Sequence, residues 1–249
     1  MRIPACFLTT LLTSSLASTA FAAAPLSDAE IDAKARAIDA RILKIDAHTD
    51  VLLPGAPELN YRPGHTSRTD LDNLTRGGIG AVAFAIAVGP GPRTPEGVKA
   101  ARAEADAKLA WIQAFVKDHS DRVALALSAN DIEHIHAAGK IAIIESFLNT
   151  RSLGADPSGI DAFYRDGVRL LGLTHAGNND FADSSRPTGE PAIEHHGLSP
   201  LGRQSVATLN KLGVIIDVSQ LTPDGLLQTL YTEQGSRHRQ PFGRAGPRR

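Results

Sequence analysis

Apolar residues along this chain form two kinds of run, and the two kinds alternate. Residues 27–42 place Ile31, Ala35, Ile38 and Ile42 on one helical face behind a capping Ser27 or Asp28, which predicts a helix. The next run, residues 41–47, is short and ends in His48-Thr49-Asp50, as expected of a strand. Residues 79–88 are almost unbroken small apolar side chains, the pattern of a strand covered on both faces. Residues 95–119 return to helical spacing at Val98, Ala101, Ala105, Leu109, Ile112 and Val116. The alternation continues with strands over 123–127, 141–145, 168–174 and 214–218, and helices over 131–138, 160–166 and 199–212. Residues 52–78, rich in Pro, Gly, Asn and Asp, read as one long loop lying over a site.

Strands that alternate with helices and are apolar on both faces predict a parallel α/β architecture. A doubly wound sheet would more often show a Gly-rich phosphate loop after its first strand, and none is present. In a barrel of such units the chemistry lies at the carboxyl ends of the strands. His48 and Asp50 close the first run, Glu145 closes the fourth, His175 follows the fifth and Gln220 follows the sixth. Residues two apart in a strand share a face, so His48 and Asp50 are placed to grip one ion while Thr49 turns away. A carboxylate such as Glu145, emerging from the apolar run that precedes it, needs a cation, a metal or hydrogen bonds to remain charged. His134, His136, His195 and His196 are expected to be structural or incidental, and Trp111 to be core.

Composition narrows the picture. A net charge of −1 with interspersed signs gives no electrostatic footprint for nucleic acid. No run reaches the roughly 18 to 20 apolar residues of a helical membrane span. Residues 1–22 have the pattern of a signal peptide: the basic start Met1-Arg2, an apolar stretch over 5–16, and Ala20-Phe21-Ala22 as a small-x-small cleavage site. The expected product is exported, most simply to a periplasm. The single cysteine, Cys6, lies within that signal, so a processed chain would have no disulfide.

The run Gly167-Val-Arg-Leu-Leu-Gly-Leu-Thr-His-Ala-Gly-Asn-Asn-Asp-Phe-Ala-Asp-Ser-Ser185 resembles the membrane (renal-type) dipeptidase family, zinc metallopeptidases of the amidohydrolase superfamily. Ile45-Asp-Ala-His-Thr-Asp50, Gly197-Leu-Ser-Pro-Leu-Gly-Arg203 and Asp217-Val-Ser219 agree with it in the same order. The resemblance implies a (β/α)8 TIM barrel, incomplete here with about six of eight strands, over residues 23–230. It implies a two-zinc centre that hydrolyses dipeptides through a metal-activated bridging water. In that scheme His48 and Asp50 bind the first ion, Glu145 bridges both, and His175, with Asn178 beside it, contacts the substrate. The second ion's histidine after the sixth strand is replaced by Gln220, a poorer zinc ligand. A homodimer is also implied. The other readings are a different amidohydrolase-like metal hydrolase and a noncatalytic barrel that binds peptides.

Residues 231–249 change character, becoming basic and rich in Gly and Pro from Gln234 onward, and read as an out-of-frame or unstructured tail. Codons permitted for residues 237–242 regroup, one base displaced, as Val-Ile-Ala-Ser-His-Ser, which resembles the family's next strand and its zinc histidine. A one-base change between about residues 227 and 233 is therefore expected, with loss of the terminal metal and proton-transfer residues.

Overall fold

The computed structural model describes residues 25–39, 41–56, 67, 69–189 and 191–237, with side chains as far as residue 232. The expected signal segment and residues 238–249 of the expected tail lie outside the described residues. The chain divides into two compact units, Met1–Ile42 and Leu43–Arg249. In the first, helix α1 (Asp28–Asp39) starts with a reciprocal cap. Ser27 donates from its backbone and its hydroxyl to Glu30, and the Glu30 backbone N–H donates back to the Ser27 hydroxyl.

The second unit is a sheet of six strands in which every pairing is parallel: β1 (Ile45–Asp50), β2 (Ala81–Ala87), β3 (Val123–Leu125), β4 (Ile141–Leu148), β5 (Val168–Gly172) and β6 (Ile215–Asp217). The order β1-β2-β4-β5-β6 is that of a half-barrel, part of a TIM barrel. Strand β3 is off this path. It pairs with β4 at residues 141–143 and β5 pairs with β4 at 145–148, so the two share the edge of β4 that β2 does not use. Helices α2 (Leu71–Arg76), α3 (Pro95–Asp118), α4 (Ala129–Ala137), α5 (Gly159–Asp166), α6 (Pro200–Leu212) and α7 (Pro223–Arg237) complete the unit.

The sheet has two unlike faces. On one, Val82, Phe84 and Ile86 of β2 and Ile141, Ile143 and Phe147 of β4 pack with Ala101, Ala105, Leu109 and Ile112 of α3 and Phe163 of α5 in one large core. Phe84, Trp111 and Phe115 form its aromatic centre, which accounts for Trp111 as core. The other face carries small residues. Ala85, Ala87 and Leu148 touch at one end, and at the other Ala81 and Ala142 are covered by Ile132 and Ile135 of α4. This inner face leaves Ile45 of β1 and Ile215 of β6 more than half exposed, at 52% and 63%.

Three elements differ from expectation. Helix α2 lies within the stretch read as loop, capped by Asp70, whose carboxylate accepts from the backbone N–H of Asp72 and Asn73. Its single turn and a half is too short to show a helical period. Helix α7 runs to Arg237, so residues 234–237 are helical where the sequence showed no pattern. Strand β4 continues past Glu145 to Leu148, because Ser146 interrupts the apolar run only on the inner face, while Phe147 resumes it toward the helices.

Candidate functional site

His48 and Asp50 reach the inner face through a bulge in β1. Asp46 pairs with Val82 and Thr49 with Phe84, so β1 uses one more residue than β2 over that step. The Asp46 carboxylate holds the bulge: Oδ1 accepts from the His48 backbone N–H at 3.0 Å and Oδ2 from the Thr49 hydroxyl at 2.7 Å. Thr49 is consequently buried on the helix side beside Phe84. Asp50, in register with Ala85, faces inward, and His48 with it.

The two side chains meet, His48 Nε2 lying 3.1 Å from Asp50 Oδ1, and are 38% and 43% exposed. The hydrogen bond to Asp50 is the main reason the His48 pKa is raised, with the charges of Asp50, Asp217 and Asp46 adding to it against burial. The same bond leads in lowering Asp50, and the charges of His48, His175 and Lys108 assist it. His175 follows β5 and senses the charges of Asp50, Arg186, His48 and Lys108. Burial dominates, however, and lowers its pKa, so the ring is neutral at pH 7. Its Nδ1 is buried without a hydrogen-bond partner.

Lys108 and Asp217 belong to this group although neither stood out in the sequence. Lys108 reaches from α3 to the carbonyl of Ala87 at the end of β2, 2.5 Å away, and also pairs with Glu104 at 2.8 Å. Its signal was present: Ala101, Ala105, Lys108 and Ile112 share one helical stripe, and a lysine on an apolar stripe has to reach out of the core. Asp217, the last residue of β6, is in register with Gly172 of β5, and Gly172 with Leu148 of β4. All three share the inner face, with the Asp217 Cβ 3.7 Å from the point a Gly172 side chain would occupy.

Glu145 is elsewhere. It pairs with Phe84 on one side and Val168 on the other, both part of the helix-side core, so its carboxylate points away from His48 and Asp50. Its surroundings agree: Oε2 lies 2.3 Å from the point where a side chain on Gly167 would begin, with Leu125 alongside. Both oxygens are buried without a partner. Burial first, and then the charge of Asp166, push the pKa up to about 7 against the pull of Arg169. The Arg169 guanidinium is engaged elsewhere, donating to the carbonyls of Leu127, Tyr164 and Val168. The expectation that His48, Asp50, Glu145 and His175 share one rim therefore fails at Glu145, which lies within a strand and on its opposite face.

The remaining candidates serve the loop between β5 and α6. The Asn178 side chain is engaged at both ends: Oδ1 accepts from the Ser184 N–H at 2.9 Å, and Nδ2 donates to the carbonyls of Pro191 and Ala192 at 3.3 and 3.1 Å. In this arrangement it shapes the loop. Buried Asp183 does similar work, accepting from the backbone N–H of Glu194, His195 and Gly197. His195 bonds the carbonyl of Asn179 at 2.9 Å, a structural role. Gln220 links loops through its backbone carbonyl, which accepts from Thr174 and Ser185, while its side-chain Oε1 is buried without a partner.

The described donors make at most a partial zinc site. His48 and Asp50 offer an imidazole and an ionised carboxylate side by side and accessible. Among the described residues, no three His, Cys, Asp or Glu side chains are gathered closely enough to hold a metal together. No helix of the described residues is long and apolar enough to cross a membrane.

Residues 32–236 match the family model described as membrane dipeptidase (peptidase family M19). The chain is 33% identical over 169 residues to dipeptidase tcpJ of Claviceps purpurea, covering 65% of this chain and 38% of that protein. It is 28% identical over 199 residues to dipeptidase verJ of Clonostachys rogersoniana, covering 75% and 50%. The crystal structure of the probable dipeptidase PvdM from Pseudomonas aeruginosa superposes with a TM-score of 0.72 at 33% identity, covering 83% of this chain and 54% of that one. The chain thus spans half or less of the length of these two curated relatives. With the half-barrel and the inward-facing His48 and Asp50 in place, the match over residues 32–236 assigns the chain to the membrane dipeptidase family.

Proposed function

We propose that this chain binds dipeptides at the inner face of the half-barrel and hydrolyses them with the help of a zinc ion held by His48 and Asp50. The observation that carries this reading is the pairing of those two side chains, exposed and inward-facing, in a member of the membrane dipeptidase family. A zinc ion bound there would polarise the scissile carbonyl and lower the pKa of water. The chain's own residues do the rest. Asp46 fixes the bulge that aims the donors. The charge of Lys108 helps to keep Asp50 ionised. Neutral His175 would meet a bound peptide through Nε2, its Nδ1 being buried.

The test is release of free amino acids from alanyl dipeptides by the zinc-loaded protein. Turnover that disappears in His48→Ala supports the reading; binding of dipeptide without turnover would replace it with the noncatalytic reading. Gln220 and the orientation of Glu145 favour that second possibility enough to expect turnover well below that of a two-ion enzyme. We also propose a one-base change between about residues 227 and 233, which would lower turnover in the same way; resequencing the gene from the codon of Gln220 onward tests it. From the amino-terminal pattern we propose export to the periplasm, which cell fractionation would check.

A further inference from the structure

A dipeptide ends in a free carboxylate, and a site that selects for that end needs a cation to meet it. The basic side chains around the carboxyl ends of the strands are mostly committed. Lys108 donates to the Ala87 carbonyl and pairs with Glu104. Arg93 is paired with Glu194 at 2.7 Å and with Asp180 at 3.4 Å. Buried Arg151 donates to the carbonyls of Gly89, Pro92 and Gly97. Arg186, in the loop between β5 and α6, differs from these: it is exposed, and among the described residues no hydrogen bond or ion pair engages its guanidinium.

An exposed arginine is ordinarily only solvated, but the backbone of this one is pinned beside His175. The Ser184 hydroxyl lies between the two residues, donating to the His175 carbonyl and accepting from the Arg186 N–H at 3.1 Å. The Arg186 carbonyl accepts from the Gly177 N–H at 2.8 Å. Thr188 closes over the same glycine, its Oγ1 lying 2.6 Å from the point where a Gly177 side chain would begin. On the other side the Ser185 N–H donates to the Gln220 carbonyl at 2.9 Å, beyond the end of β6. The Arg186 charge is felt at the His175 ring, as are those of Asp50 and His48. We infer that Arg186 binds the substrate's terminal carboxylate, next to the His175 ring. A planar guanidinium with free donors grips a carboxylate through two parallel hydrogen bonds, which a lysine cannot reproduce. The inference rests on the dipeptide reading proposed above and deepens it, by naming the side chain that would select substrates ending in a free carboxylate.

Alanyl-alanine and alanyl-alanine amide differ at that end alone, and comparing their hydrolysis by the zinc-loaded full chain, with their binding by calorimetry, isolates the contact. The wild type is expected to prefer the acid by at least about 30-fold in kcat/KM, the size of a hydrogen-bonded contact to a charged group. Arg186→Met, checked for folding by circular dichroism, should bring that preference to within about threefold, with the loss falling on KM. Arg186→Lys should recover part of it, and Arg93→Met, which removes a positive charge that is already paired, should leave it intact. A preference that persists in folded Arg186→Met, or that Arg93→Met abolishes equally, would overturn the inference. Hydrolysis without any preference for the acid would also overturn it and leave the dipeptidase reading standing. Selective binding of the acid that is lost in Arg186→Met, with no cleavage, would remove the hydrolytic function and keep the carboxylate site. Failure to bind either peptide would overturn both.

Discussion

Asp50 and Glu145 are both carboxylates of one parallel sheet, on the strands β1 and β4 that flank β2, and the protein treats them in opposite ways. Asp50 lies on the inner face, paired with His48, two-fifths exposed and held in its ionised form. Glu145 lies on the helix face, wholly buried, unpartnered and pushed up to about 7. The difference arises from register. Asp50 aligns with Ala85 and Glu145 with Phe84, adjacent residues of β2 whose side chains point to opposite sides. A titratable residue near the end of an apolar run is thus a candidate for chemistry only once its face is known.

The sharpest way to break this contrast acts on the inner face. In the proposed dipeptidase, His48→Ala or Asp50→Ala should lower kcat/KM by at least about 1000-fold, roughly 4 kcal/mol of barrier. Stability should change by less than about 1 kcal/mol, because a partly exposed pair contributes little to folding. Kinetics and urea denaturation on the same preparations separate the two effects. A variant that keeps its activity would show that the donors lie elsewhere.

The helix face gives the next largest effect, and it depends on pH. Below about pH 4.5, the ordinary value for a glutamate, Glu145 is protonated in both the folded and the unfolded chain. As the pH rises toward about 7 the unfolded chain loses its proton first, so the native state loses up to about 3 kcal/mol relative to its acid-side stability. Glu145→Gln should abolish that slope and be the more stable protein at pH 8 by up to the same amount. If instead the wild type is the more stable at pH 8, the carboxylate has an ionic partner and the opposition between the two acids disappears.

How much of this was legible in the sequence follows from the same comparison. The apolar run over 79–88 and the helical stripe over 95–119 were readable because whole elements average over many positions. The face of Glu145 was not, since it depends on Ser146 failing to end the strand and on a register shift between β4 and β5 beside it. The bulge that turns His48 inward is equally invisible, being held by Asp46, which reads as one more polar residue. The motif over 167–185 was legible as a family signature, yet Asn178 and Asp183 within it serve to hold a loop. Asn178→Ala, which removes three hydrogen bonds from that loop, should cost about 2 kcal/mol in stability and raise KM more than it lowers kcat. An unchanged KM would separate the loop from the substrate.

The smallest expected effect tests whether the two faces differ in solution as they do in packing. Ile45 of β1 aligns with Ala81, and Ile215 of β6 with Leu170, all on the inner face, and both isoleucines remain more than half exposed. Replacing either with Ser removes an apolar side chain that water already reaches, so stability should move by no more than about 0.5 kcal/mol. The matching change on the helix side, Ile143→Ala, empties a site with no exposure at all and should cost about 3 kcal/mol. Urea midpoints for the three variants therefore form a scale. If the inner-face substitutions approach the cost of Ile143→Ala, the inner face is covered in solution, and Asp50 would share the burial that now distinguishes Glu145 from it.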